Sequence, residues 1–109
     1  MEEGRSPRDK LMFDILFDTG LRVSELTGLN VGEVKGKIFL TIVGKGRKER
    51  TIPIWPVNGI MEGINEFLEW KRNHGECVHP RSPLFCSKNN RIRINHRISD
   101  RAVQYLVNR

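Results

Sequence analysis

From Leu11 to Phe17, six of seven residues are apolar, and at helical spacing so wide a stripe must be buried on most sides. Leu11, Met12, Ile15, Leu16 and Thr19 share one side, Phe13 and Phe17 widen it, and Lys10, Asp14 and Asp18 form the polar edge. Both ends are marked. Ser6 is placed to cap, Pro7 suits the first turn, Asp9 sits near the positive end of the helix dipole, and Gly20 stops the helix. The rest of the chain must therefore cover this helix. A length of 109 residues allows one domain with one modest core, burying roughly 65% of the unfolded surface.

The octet Thr19-Gly20-Leu21-Arg22-Val23-Ser24-Glu25-Leu26 follows directly. Arg22 opens a second, short helix, and Glu25 falls on the same face three residues on. The planar guanidinium and the free N–H groups of the helix start then point the same way, which suits a phosphate oxygen. A plain i,i+3 ion pair worth a few tenths of a kcal/mol is the competing explanation.

Asn30 and Glu33 have the spacing of a cap and its third-turn partner, and Gly36 releases the chain into a strand over Lys37 to Val43. In that strand Ile38, Leu40 and Ile42 alternate with Phe39, Thr41 and Val43, which predicts cover on both faces. Gly44-Lys45-Gly46-Arg47-Lys48-Glu49-Arg50 is a hairpin tip, and Thr51 to Ile54 returns as an edge strand because of Pro53. Trp55 to Asn58 turns into a helix with Ile60, Ile64, Phe67 and Leu68 inward, Glu62, Glu66 and Glu69 outward, and His74-Gly75 as the stop. After a loop from Glu76 to Pro83, Leu84 to Cys86 and Arg91 to Ile94 read as short extended pieces around Ser87 to Asn90. Ser99 then caps a helix with Ala102, Val103, Leu106 and Val107 inward and Tyr105 off the centre of that face. The fold class expected is α+β, mostly helical, with a small antiparallel sheet on one edge.

The net charge of +6 favours an anionic partner. Lys45, Arg47, Lys48 and Arg50 cluster in one segment, and Arg91, Arg93, Arg97 and Arg101 in another. Double-stranded DNA fits this better than a membrane, since there is neither a long apolar run nor a basic amphipathic helix with aromatic anchors. A lysine held between Gly44 and Gly46 is placed to enter a groove, with Arg47, Lys48 and Arg50 as further contacts. Cys77, His79, Cys86 and His96 lack the paired spacing of a zinc site, so no metal is assigned to them. With no signal peptide visible, the cytoplasm or nucleoid is the expected compartment.

Together the octet and the Gly-Lys-Gly hairpin with its Ile52-Pro53-Ile54 exit resemble the catalytic domain of tyrosine recombinases, the phage-integrase and Xer-like family. The match is closest over Leu11 to Ile54, looser over Pro83 to Val107, and faint between. The resemblance implies an integrase-type catalytic fold that cuts DNA by attack of a tyrosine hydroxyl, giving a 3′-phosphotyrosyl link and a free 5′-hydroxyl. Arg22 matches the family arginine that grips the scissile phosphate, Glu25 the acidic residue that supports it, and Lys45 the hairpin lysine that protonates the departing 5′-oxygen. It also implies self-association on DNA in the full-length parent, with no metal, nucleotide or other cofactor.

The family's His-x-x-Arg box, later His or Trp, and nucleophilic Tyr follow the last helix seen here, and its core-binding domain precedes the first. Residues 1–109 are therefore expected to be the N-terminal half of the catalytic domain, inactive alone. Tyr105 precedes the position of that box and is not assigned the nucleophile. Two alternatives stand: a non-catalytic DNA-binding module using the Lys45 hairpin, and a functionless remnant of a mobile element.

Overall fold

The apolar segment forms α1 (Pro7–Thr19), started and stopped as its sequence dictates. Ser6 Oγ accepts the Asp9 N–H at 3.1 Å, and Gly20, at φ 75°, turns the chain left-handed while its N–H returns to the Leu16 carbonyl. A side chain at that φ costs about 1 kcal/mol, so glycine is what allows the next helix to start so soon. In this computed structural model the described residues are 6–43, 46, 48–54, 59–87 and 96–108.

Among them the order is α1, α2 (Val23–Thr27), α3 (Val31–Val34), β1 (Phe39–Val43), β2 (Glu49–Pro53), α4 (Ile60–Asn73) and α5 (Asp100–Val107). This is the α+β class expected: five helices with a two-stranded antiparallel sheet. α1 packs on α4 and α2, α5 packs on α2, and α3 supports β1. Leu11, Met12 and Ile15 meet Ile60, Ile64, Phe67 and Leu68 in one continuous core that also takes in Leu26, Leu40, Ile54, Leu84, Phe85 and Val103.

Two expectations need correction. Phe17 is 69% exposed, so the α1 stripe is narrower than its composition suggests; the ring lies against Phe13 one turn back, with centroids 6.0 Å apart. β1 is covered on one face only, with Leu40 and Ile42 buried and Phe39 and Val43 exposed. Two paired strands packed on one side by helices leave an outer face with no described cover. The chain pairing with Leu84 to Cys86 is His96 to Ile98, through Ser87 N–H to the His96 carbonyl at 2.8 Å and Ile98 N–H to the Phe85 carbonyl at 3.0 Å. The extended piece expected over 91 to 94 lies outside the described residues, as does the turn expected at 55 to 58. The strands also start later and earlier respectively than expected, at Phe39 and Glu49.

Two cations are built into the interior. Lys71 follows Ile60, Ile64, Phe67 and Leu68 on the same stripe of α4 and is 0% exposed. Its Nζ donates to Glu76 Oε1 at 2.8 Å and to the Pro83 carbonyl at 3.3 Å, and lies 5.6 Å from the centre of the Phe67 ring. Arg8 donates to Asp9 and, through Nη1, to the Cys86 carbonyl at 2.9 Å. Both tie the long segment after α4 back to the core. That segment also closes over α3, where Gly32 N–H bonds the Pro80 carbonyl at 2.9 Å. A Cβ on Gly32 would stand 2.8 Å from Pro80 Cβ, so only glycine lets the two approach.

Removing one partner of a buried ion pair strands the other. Lys71→Met should therefore lower unfolding stability by about 3 kcal/mol in urea titration. A loss under about 1 kcal/mol would show that Glu76 and the Pro83 carbonyl reach water without it.

Candidate functional site

The first five residues after the Leu21-Arg22 step form α2, and its start is chemically odd. Arg22 occupies the N-cap in extended conformation, φ −78° and ψ 155°, where Ser, Thr, Asp or Asn is usual. A guanidinium has no acceptor, so it cannot satisfy the helix's free N–H groups. Glu25 supplies the other half of a capping box: its Oε1 accepts the Arg22 N–H at 2.9 Å. The arginine thus contributes nothing to the cap, and its side chain is exposed. Among the described residues no acceptor bonds its guanidinium.

Glu25 is held from the other side by the hairpin. Arg50 lies opposite Ile42 in the β1–β2 register, and residues directly opposite in an antiparallel pair share a face. That is the inward face, so Arg50 points back toward α2. Its fork spans the carboxylate, with Nη2 to Oε1 at 3.0 Å and Nη1 to Oε2 at 3.3 Å. Glu25's side chain is 10% exposed and Arg50's is 43%. Burial opposes the charge on Glu25, but the Arg22 N–H, the Arg50 hydrogen bond and charge, and the charge of Arg22 outweigh it. The carboxyl is held below its ordinary value near 4.5.

The far end of α2 has its own clamp. Arg97 Nη1 donates to the Thr27 and Leu29 carbonyls at 2.8 and 3.1 Å, and its Nη2 reaches Asn30 Oδ1. Thr27 Oγ1 bonds Asp100 at the start of α5. The sequence grouped Arg97 with a basic cluster facing an anion; the structure turns it inward, because the last carbonyls of a helix lack partners and carry partial negative charge.

An open cleft of about 380 Å³ runs from the start of α2 to β1, with Arg22, Ser24, Glu25, Thr41 and Val43 among its walls. Of the residues singled out from sequence, the fold brings Arg22, Glu25 and Arg50 together, and the support from Glu25 to Arg22 runs through the main chain. Lys48 is exposed just before β2. Lys45 and Arg47 lie outside the described residues. The link from Arg50 to Glu25 was missed. Strand alternation is the signal that carries it, since Arg50 has the parity of inward-facing Ile52 and Ile54 rather than of Thr51.

Among the described residues, no group of three or more His, Cys, Asp or Glu side chains is arranged to hold a metal. Among the described residues no helix is long and apolar enough to cross a membrane.

Because the folded carboxyl of Glu25 titrates below its ordinary value, its contribution is complete above that value and is lost as pH falls through the lower, folded one. The stability gap between wild type and Glu25→Gln should therefore be constant near neutrality and shrink below about pH 4.5 in urea titrations. A gap independent of pH would mean the carboxylate charge contributes nothing.

Residues 2–109 match the model of the phage integrase family. The chain is 37% identical over 100 residues to tyrosine recombinase XerC of Caldanaerobacter subterraneus, covering 92% of this chain and 26% of that protein. It is 36% identical over 103 residues to tyrosine recombinase XerC of Pelobacter propionicus, covering 94% and 32%. Against tyrosine recombinase XerD of Yersinia pestis it is 48% identical over 74 residues, covering 67% and 22%. The chain thus spans between about a fifth and a third of the length of these relatives. A family match over residues 2–109, with relatives 36–37% identical over more than nine tenths of the chain, places it in the phage integrase family of tyrosine recombinases.

Proposed function

We propose that this chain is part of the catalytic domain of a site-specific recombinase that cuts and rejoins double-stranded DNA through a 3′-phosphotyrosyl intermediate. The observation that carries the reading is Arg22: an exposed guanidinium at an N-cap, with no acceptor among the described residues, beside a carboxylate already occupied by Arg50. Such an arginine suits an external phosphate, whose oxygens match its planar fork.

In the reaction, a tyrosine hydroxyl loses its proton to solvent as its oxygen attacks phosphorus, the bond from phosphorus to the 5′-oxygen breaks, and that oxygen takes up a proton. Arg22 would grip the non-bridging oxygens, where negative charge grows in the transition state; one such donor is worth about 3–4 kcal/mol. Lys45, in the connection between β1 and β2, would give the proton to the 5′-oxygen, a role worth about 10²–10⁴-fold. Arg47 and Lys48 would follow the DNA backbone.

The nucleophile, in this reading, comes from outside these 109 residues. Tyr105 is 67% exposed on α5, which contacts α2 at its Asp100 end. Among the described residues no base takes a hydrogen bond from the Tyr105 hydroxyl, so nothing there activates it as a nucleophile. The chain alone is therefore a DNA-binding piece that makes no cut, and it works within the nucleoid.

The test is duplex binding by fluorescence anisotropy across a salt series, with a nicked suicide duplex as a second arm. Binding should be weak and steeply salt-dependent. Arg22→Gln and Lys45→Gln should each reduce the slope of log K against log salt by about 0.9. No covalent adduct should form on the suicide duplex. Binding indifferent to salt would overturn the phosphate reading, and an adduct abolished by Tyr105→Phe would overturn the assignment of roles.

A further inference from the structure

The start of α2 sets two requirements against each other. The helix needs the Glu25 carboxylate to receive the Arg22 N–H, yet a carboxylate three residues from an arginine is within reach of its guanidinium. Elsewhere in this protein that spacing closes: Arg72 donates to Glu69 at 2.8 Å on the exposed side of α4. An Arg22 closed on Glu25 in the same way would be neutralised and turned from any external anion.

At α2 no such contact forms, and three N–H groups already occupy most of the roughly four acceptor sites of the Glu25 carboxylate. Oε1 takes the Arg22 N–H and Arg50 Nη2, and Oε2 takes Arg50 Nη1. The register of β1 and β2 delivers the Arg50 fork from the face that carries Ile42. We infer that Arg50 is a positioning residue, which occupies Glu25 so that the guanidinium of Arg22 stays open to a phosphate. This rests on the proposed reading of Arg22 as a phosphate ligand. It assigns Arg50 a role distinct from its sequence-derived one as a direct DNA contact.

A second consequence is mechanical. The same two hydrogen bonds join β2, the strand leaving the hairpin, to the helix that carries Arg22. Any shift of β2 therefore reaches Glu25 directly.

The experiment measures what Arg22→Gln does to duplex binding in three backgrounds of this chain. In wild type it should lower the salt slope by about 0.9. In Arg50→Gln, where Glu25 is free to close on Arg22, it should change nothing further. In Glu25→Gln/Arg50→Gln, where no carboxylate remains to close, the full drop should return. A drop in Arg50→Gln equal to that in wild type overturns the inference and leaves the phosphate reading intact. No drop in wild type overturns the phosphate reading.

A DNA-free measurement then decides the inference alone. The Glu25 carboxyl, followed by carbon NMR through an acid titration, should respond more to Arg22→Gln in the Arg50→Gln background than in wild type. Equal responses overturn it. If Arg50→Gln unfolds the chain, Arg50→Lys serves in its place, since an ammonium is a point charge and cannot span both oxygens as the fork does.

Discussion

Arg97 donates to the carbonyls at the end of α2 while Arg50 grips the carboxylate at its start, and between them lie five residues that would not stay helical in water. The site depends on this double clamp. A helix so short makes few internal hydrogen bonds, so its geometry comes from what grips its ends and from Leu26, fully buried beneath it. Arg22 takes its direction from that geometry, and β1 forms the other wall of its cleft.

The internal cations share a logic. Lys71, Arg8 and Arg97 each donate to main-chain carbonyls of segments distant in sequence: Pro83, Cys86, and Thr27 with Leu29. In a chain of 109 residues the apolar core is small, and several connecting segments cross it without regular secondary structure. Carbonyls in such segments cost free energy unless paired, and long cations reach them from neighbouring elements. Part of the positive charge of this protein therefore holds the fold. Only the remainder, with Arg22 foremost, is available to an anion.

Much of this was legible in the chain itself. The cap at Ser6, the stop at Gly20, the Asn30–Glu33 pair and the Ser99 cap all follow local rules, and each appears with its expected hydrogen bond. The α4 stripe was legible too, as far as Leu68. What sequence analysis passed over was the inward use of charge. Lys71 sits at a position its stripe marks as buried, and Arg50 has the parity of inward Ile52 and Ile54, yet a charged residue is ordinarily assigned to solvent. Periodicity carried that far would have placed both. Arg97 had no such local signal. Its partners lie about seventy residues away, and only the packing of α5 on α2 brings them together.

Hydrogen exchange at the amides of α2 tests most directly whether the helix stands by its clamps. Leu26 N–H bonds the Arg22 carbonyl and Gly28 N–H the Ser24 carbonyl, and each reports the helix opening. In Arg97→Gln, protection at Leu26 and Gly28 should fall while Gly63 and His74 at the two ends of α4 keep theirs. Unchanged protection at Leu26 and Gly28, or an equal loss across α4, would contradict the account.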